Sequence, residues 1–282
     1  MKSKDSIAAK IGFMQGRLSP LVNAKIQAFP WQNWQKEFQE AHSLNFEIME
    51  WTLDHENLYK NPLMTEEGRE EIKKLSKKFK IRTPSLTGDC FMQAPFWKAR
   101  DNNRKDLEND FLSVIESCGL LNIELIVIPL VDNGSIDNLN EMDSLIYFLQ
   151  SKKDLFDSLS IQILFESDYG PVDLKNFIDK LDPKTFGINY DIGNSASLGF
   201  DPYEEFEAYG KRITNVHVKD RVLHGTTVPL GDGNANFEKV FQLLNDFSYK
   251  GNYILQTARS KTGDHLGVLQ RYNNQVKYWL GL

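Results

Sequence analysis

The sequence predicts an α/β protein built as a single (β/α)8 TIM barrel over residues 1–282. Three observations point there: eight short apolar runs of strand character, helix-periodic segments between them, and no glycine-rich phosphate turn after the first run. The runs occupy 10–14, 46–51, 81–86, 123–129, 161–166, 186–191, 213–218 and 252–256. Their starts recur roughly every 25 to 40 residues, the length of a βα unit, and repeated βα units imply a parallel sheet. Eight such strands close into a barrel more naturally than they spread into an open sheet.

Lys10-Ile-Gly-Phe-Met14 is the first strand, and the Gln15-Gly-Arg-Leu-Ser-Pro20 that follows lacks the Gly-x-Gly-x-x-Gly of a dinucleotide-binding turn. Phe46-Glu-Ile-Met-Glu-Trp51 is the second. Ile72, Leu75 and Phe79 then share one helical face before the third strand, Ile81-Arg-Thr-Pro-Ser-Leu86. The segment 89–104 carries Phe91, Met92, Phe96 and Trp97; it reads as a lid or substrate wall, or equally as aromatic packing on the barrel rim. Leu107, Phe111, Val114, Ile115 and Cys118 repeat at helical spacing, with Gly119 where a helix stop is expected, ahead of Ile123-Glu-Leu-Ile-Val-Ile-Pro129. Four more runs complete the set. The last follows a helix marked by Phe237, Val240, Phe241 and Leu244 and is opened by Gly251, while the isolated Gly231-Asp-Gly233 reads as a turn.

With 282 residues, 41% of them apolar, and 10 prolines, the chain can bury one substantial core. A formal charge of -6 leaves no general basic surface, so nucleic acid is not an expected partner. Cys90 and Cys118 make no disulfide framework, and the Met1-Lys-Ser-Lys-Asp5 start lacks the apolar stretch of a signal peptide. The strongest apolar run, 125–131, is too short to cross a bilayer and contains Pro129, so no membrane partner is expected either. A cytoplasmic protein is the expectation.

Glu166, Asp191, His217 and Gln256 each stand last or next to last in one of the final four runs. Buried carboxylates and imidazoles are costly without a partner or a task, and strand ends facing one mouth are where barrel enzymes keep their chemistry. A lone histidine on an apolar strand is more often a satisfied core residue than a ligand. Three ligand-type residues at matching strand ends shift that balance towards a shared divalent cation.

Ile11-Gly-Phe-Met-Gln-Gly-Arg-Leu-Ser-Pro20, Tyr190-Asp-Ile-Gly-Asn194, Val216-His-Val-Lys-Asp-Arg221 and Gly231-Asp-Gly233 together resemble the xylose isomerase-like barrel superfamily, in particular its sugar phosphate isomerase/epimerase branch. The likeness runs from the first strand to the eighth. It implies a divalent ion (Mn, Mg, Co or Zn), a small sugar-like substrate and an enediolate route, with metal ligands at Glu166, Asp191, His217 and, on the eighth strand, Gln256. Gln256 departs from the family, which has a glutamate there. An amide still offers an oxygen ligand, but it removes a negative charge and has no proton to exchange at neutral pH. The symmetrical two-carboxylate mechanism of the family's epimerases is therefore not open to this chain.

Three readings follow from that substitution. Glu166 acts alone as an isomerase base; or Lys219, two positions beyond His217 and suited to the task if desolvated, replaces the missing group; or catalysis is lost and a sugar-binding barrel remains. A related metal-dependent lyase or dehydratase is the alternative chemistry. A three-metal endonuclease of this fold would need more histidines at strand ends than the chain's five provide. Glu50, Trp51 and Asn194 are candidate substrate contacts, with Asn194 also a partner for Asp191 in an Asx turn and Glu50 also able to orient a ligand or form a salt bridge in the mouth. Arg17, Arg221 and Arg259 follow the first, seventh and eighth strands and are candidates to clamp a carboxylate or phosphate, or else to pair with Asp220 or Asp232. Barrels of this kind commonly assemble as dimers or tetramers, so a homo-oligomer is the expected protein partner.

Overall fold

Eight parallel strands close into a barrel, with helices outside. The computed structural model describes residues 10–282, so residues 1–9, which include the start weighed above and the opening of the expected 1–282 domain, lie outside the described residues. In chain order the strands are β1 (Ile11–Met14), β2 (Ile48–Thr52), β3 (Ser85–Thr87), β4 (Leu125–Leu130), β5 (Gln162–Ser167), β6 (Phe186–Asp191), β7 (Ile213–Val218), a short antiparallel hairpin of β8 (Asp220–Arg221) and β9 (Thr227–Val228), and β10 (Asn252–Leu255). The barrel order β1-β10-β7-β6-β5-β4-β3-β2 makes β10 the eighth barrel strand and joins it to β1. Among the described residues no helix is long and apolar enough to cross a membrane.

Seven of the eight expected runs lie within two residues of their strands. The third shrinks to Ser85–Thr87 because Pro84 has no N–H to give the ladder; its carbonyl instead accepts from the amides of Glu124 and Leu125, each at 3.0 Å. The helix Asp101–Leu120 ends one residue after Gly119, as the expected stop required. Of the two readings of the aromatic segment after β3, packing is the one that agrees with the structure: Phe91, Phe96 and Trp97 are buried, with Phe96 packed 4.6 Å from Phe148 and 5.6 Å from Phe111 between centroids, against the helical layer.

Period-two alternation decides which side chains enter the barrel. On β2, Met49 and Trp51 join the large core between sheet and helices, whereas Ile48 packs with Met14 and Ile254 inside the barrel. Glu50 and Thr52 share the inner face with Ile48. Trp51 therefore does not reach the pocket, contrary to expectation; it is wholly buried, packs against Phe29 and Trp34, and donates its indole N–H to Asn61 Oδ1 at 3.1 Å.

The turn after β1 is fixed from outside. The helix Trp34–Ser43 buries Glu37, whose carboxylate accepts from Gly16 N (2.8 Å), Leu18 N (3.0 Å) and Ser19 Oγ (2.8 Å). Burial pushes its acid up to about 7 against those three donors. A carboxyl raised in the folded state contributes stability that is full below its unfolded value near 4.5 and is lost as pH rises through about 7.

Two outcomes follow. Trp51→Ala should lower unfolding free energy by about 3 to 5 kcal/mol in urea titrations, with Trp51→Phe recovering much of it, because the indole fills core and not pocket. The stability advantage of wild type over Glu37→Gln should shrink between pH 5 and pH 8, read from thermal unfolding at fixed ionic strength; an advantage that grows with pH would contradict the assigned direction.

A candidate metal centre at the barrel mouth

The C-terminal ends of β5, β6 and β7 bring Glu166, Asp191 and His217 together. All three are buried, and one ligand atom from each lies within 4.8 Å of the other two. Alternation places them inward with Asn189, two before Asp191, and Asn215, two before His217. Cross-strand register puts Asp191 beside His217, and Ile254 of β10 beside His217 on its other side.

His217 is gripped at both nitrogens. Nε2 lies 2.7 Å from Glu50 Oε1, and Nδ1 lies 2.9 Å from Glu166 Oε2 and 3.9 Å from Asp191 Oδ2. Burial disfavours a charged imidazole, but Glu50 and Glu166 outweigh it and push His217 up to about 10. Glu50 also accepts from Ser85 Oγ (2.6 Å), Thr87 Oγ1 (2.5 Å) and Asn215 Nδ2 (3.0 Å). Burial would raise its acid, yet His217 and those donors hold it below the usual carboxylate range. With four donors and no exposure, Glu50 orients the imidazole and has no face left for a substrate.

Glu166 receives amide donors on both oxygens, Asn189 Nδ2 at 2.8 Å and Asn194 Nδ2 at 2.7 Å. Burial works to raise it, and His217, Lys219 and Asn189 bring it below its ordinary value. Asp191 moves the other way: burial raises it against the pull of Lys219, and nearby Glu166 adds to the rise. Its Oδ1 caps the helix Ile192–Leu198 by accepting from Asn194 N at 2.8 Å, and Lys219 Nζ stands 2.6 Å from its Oδ2. Gly193 permits this approach, since a Cβ there would fall 2.8 Å from Lys219 Cγ.

Three buried polar atoms in this group lack a hydrogen-bond partner: His217 Nδ1, Asp191 Oδ2 and Gln256 Oε1. The first two have charged neighbours at ion-pair distance, Glu166 Oε2 2.9 Å from His217 Nδ1 and Lys219 Nζ 2.6 Å from Asp191 Oδ2. Two carboxylates and an imidazole nitrogen, all within 4.8 Å of one another, form a donor set that suits a hard or borderline divalent ion. The fit is therefore good, and Glu166, Asp191 and His217 would hold such an ion. Gln256 donates its amide Nε2 to Gln27 Oε1 at 2.9 Å and keeps its oxygen unclaimed.

The arginines divide. Arg17 is buried at the mouth. Arg221 is spent within the β8–β9 hairpin, with Nε and Nη2 on Gly225 O at 3.0 and 2.7 Å, though Nη1 steadies Asn194 Oδ1 at 2.8 Å. Arg259 donates to Ser19 O (2.9 Å) and Ile26 O (3.2 Å) and so pins the loop after β1. Neither pairs with Asp220, because that carboxylate caps the glycine turn, accepting from Gly231 N (2.8 Å), Gly233 N (2.9 Å) and Ala235 N (3.1 Å). Any Cβ at Gly233 would lie 2.2 Å from Asp220 Oδ1, which ties the Gly-Asp-Gly turn to the aspartate that follows Lys219.

Sequence reasoning missed Gln27, Asp89, Asn189 and Asn215. The two asparagines were visible as polar residues two places before expected ligands, on the same strand face. Gln27 lies in a loop and Asp89 opens the short helix Asp89–Gln93; they are joined at 2.5 Å through Gln27 Nε2 and Asp89 Oδ2, and no local pattern marks them.

Comparison with known proteins agrees with this architecture. The inosose dehydratase of Bacillus cereus (strain AH820) is 24% identical over 158 residues, covering 48% of this chain and 53% of that protein, so the chain spans about half the length of such a relative. A xylose isomerase domain protein from Planctomyces limnophilus superposes with a TM-score of 0.74 at 13% identity, covering 96% of each chain. A D-allulose 3-epimerase from Methylomonas sp. gives a TM-score of 0.73 at 14% identity over 96% of this chain and 98% of that one. At those identities the likeness is one of fold. A family model described as xylose isomerase-like TIM barrel matches residues 38–273, and the chain belongs to that family.

Proposed function

We propose that this chain works as one barrel domain, a divalent-metal-dependent isomerase or epimerase that acts on a small sugar or sugar phosphate through an enediolate. The convergence of Glu166, Asp191 and His217 carries the reading. When bound, Mn, Mg, Co or Zn polarises the substrate carbonyl and favours negative charge on its oxygen. Glu166 is the base at the carbon next to that carbonyl, because its amide donors fix its orientation and favour the ionised form. Lys219, its ammonium 2.6 Å from Asp191 and its side chain only 11% exposed, is the second acid-base group, in place of the glutamate that Gln256 replaces. Glu50 keeps His217 in one orientation, and Asn194 links Glu166 to Arg221.

A dehydratase is the second reading. It is favoured by the neutral Gln256, which cannot return a proton from the opposite face, and by the matched half shared with inosose dehydratases.

Protein purified without chelators should carry Mn, Mg, Co or Zn by elemental analysis. Glu166→Gln, Asp191→Asn and His217→Ala should each lose most of it, and Glu50→Gln should bind about 10 to 100-fold more weakly. A wild-type protein without ion and without affinity for these metals would remove the proposal's foundation. The two chemistries separate by NMR in deuterated water with ketohexoses, their phosphates and inosose: solvent deuterium in an isomeric product marks the isomerase, loss of water the dehydratase.

A further inference from the structure

We propose that Arg17 anchors a subsite for an anionic group, a carboxylate or a phosphate, carried by the ligand that reaches the metal centre; this rests on the function proposed above and specifies the charge of its substrate. Arg17 is 4% exposed, its Nε and Nη1 have no hydrogen-bond partner, and its one side-chain hydrogen bond is a long 3.4 Å bond from Nη2 to Gln27 Oε1. Among the described residues no carboxylate forms an ion pair with it. A guanidinium removed from water without an anion is expensive, and folds rarely tolerate one without a use for it.

The nearby acids are already engaged. Asp89 takes Gln27 Nε2, Glu37 takes Gly16, Leu18 and Ser19, and Asp191 takes Lys219 and the Asn194 amide. Burial, and then repulsion from Arg259, bring Arg17 down to about 9 in spite of these acids. Arg259 has its own unpartnered buried nitrogen, Nη2. Two cations thus share a corner in which three guanidinium nitrogens lack an acceptor. An oxyanion supplies both the missing acceptors and the missing charge, whereas a neutral hydroxyl supplies only an acceptor.

The corner adjoins the metal centre. Arg17 feels the charge of Asp191, and Gln27 Oε1 is shared between Arg17 and Gln256 Nε2. Gln27 therefore stands where a ligand oxygen would otherwise accept, and an entering anion takes over that role. Arg17 is the contact by which a charged end of the substrate is told from an uncharged one.

The test uses the full chain as purified, with Arg17→Met and Arg17→Lys variants, and reads affinity by calorimetry for D-fructose 6-phosphate, D-glucuronate and neutral D-fructose. Wild type should bind at least one anionic sugar about 10 to 100-fold tighter than fructose. Arg17→Met should lose that preference, keep its affinity for fructose and for Mn2+, and Arg17→Lys should recover part of it. Preference for the phosphate ester assigns a phosphate, and preference for glucuronate a carboxylate. Inorganic phosphate should raise the melting temperature of wild type but not of Arg17→Met, and in anion-free buffer the variant should melt no lower than wild type. A preference that survives in Arg17→Met, equal binding of all three sugars, no Arg17-dependent response to any anion, or a variant that melts well below wild type without anion would each overturn the subsite. Mn2+ titration separates the two proposals: an Arg17-dependent anion effect without metal affinity leaves the subsite and removes the enzyme reading, and the reverse result removes the subsite alone.

Discussion

The site is organised around one imidazole held between two carboxylates, all three buried. His217 touches Glu50 on one side and Glu166 on the other, and none of the three has appreciable contact with solvent. Removing one partner from such a group would leave an uncompensated charge in the barrel, a far larger penalty than the pair itself contributes. That is why the surrounding strands spend their inner positions on small donors. Ser85, Thr87, Asn189 and Asn215 satisfy carboxylate oxygens that apolar barrel fillers would have left bare.

The network also ties distant parts of the chain into one mouth. Glu50 and Asn215 are 165 residues apart, yet their contact crosses the barrel interior and links β2 to β7. Asn215 in turn reaches Asn189 at 2.8 Å, and Asn189 reaches Glu166. A change to any inward polar residue is thus transmitted along hydrogen bonds that already have a fixed direction, which gives the ligand atoms little freedom to drift.

Much of this was legible from residue order. Strands bounded by polar ends are a strong signal when they recur eight times, and the inward placement of Glu166, Asp191 and His217 follows from counting in twos along each strand. The same count exposes the error at Trp51: as a neighbour of Glu50 on an extended strand it must point to the opposite face, so both could not line the pocket. For the aromatics at 91, 96 and 97 residue order left a loop wall and plain packing equally open, because the short helix Asp89–Gln93, which sets Phe91 on Phe111, and the seating of Phe96 on Phe148 leave no periodic trace. Arg259's hold on the loop after β1, and Gln27 altogether, were beyond reach for a related reason, since their partners belong to segments whose course is set by tertiary contacts and not by nearest neighbours.

Gln256, Gln27 and Asp89 form a chain of alternating donors and acceptors: an amide N–H meets a carbonyl oxygen at 2.9 Å, and the next amide N–H meets a carboxylate at 2.5 Å. Such a chain has polarity. A glutamate introduced at position 256 alone would set an acceptor against the Gln27 oxygen, and rotating the Gln27 amide to relieve that clash would turn its oxygen onto Asp89. The three positions are consequently coupled through their hydrogen bonds, so that an acid on the last barrel strand calls for compensating changes at Gln27, in the loop after the first strand, or at Asp89, at the start of the short helix after the third.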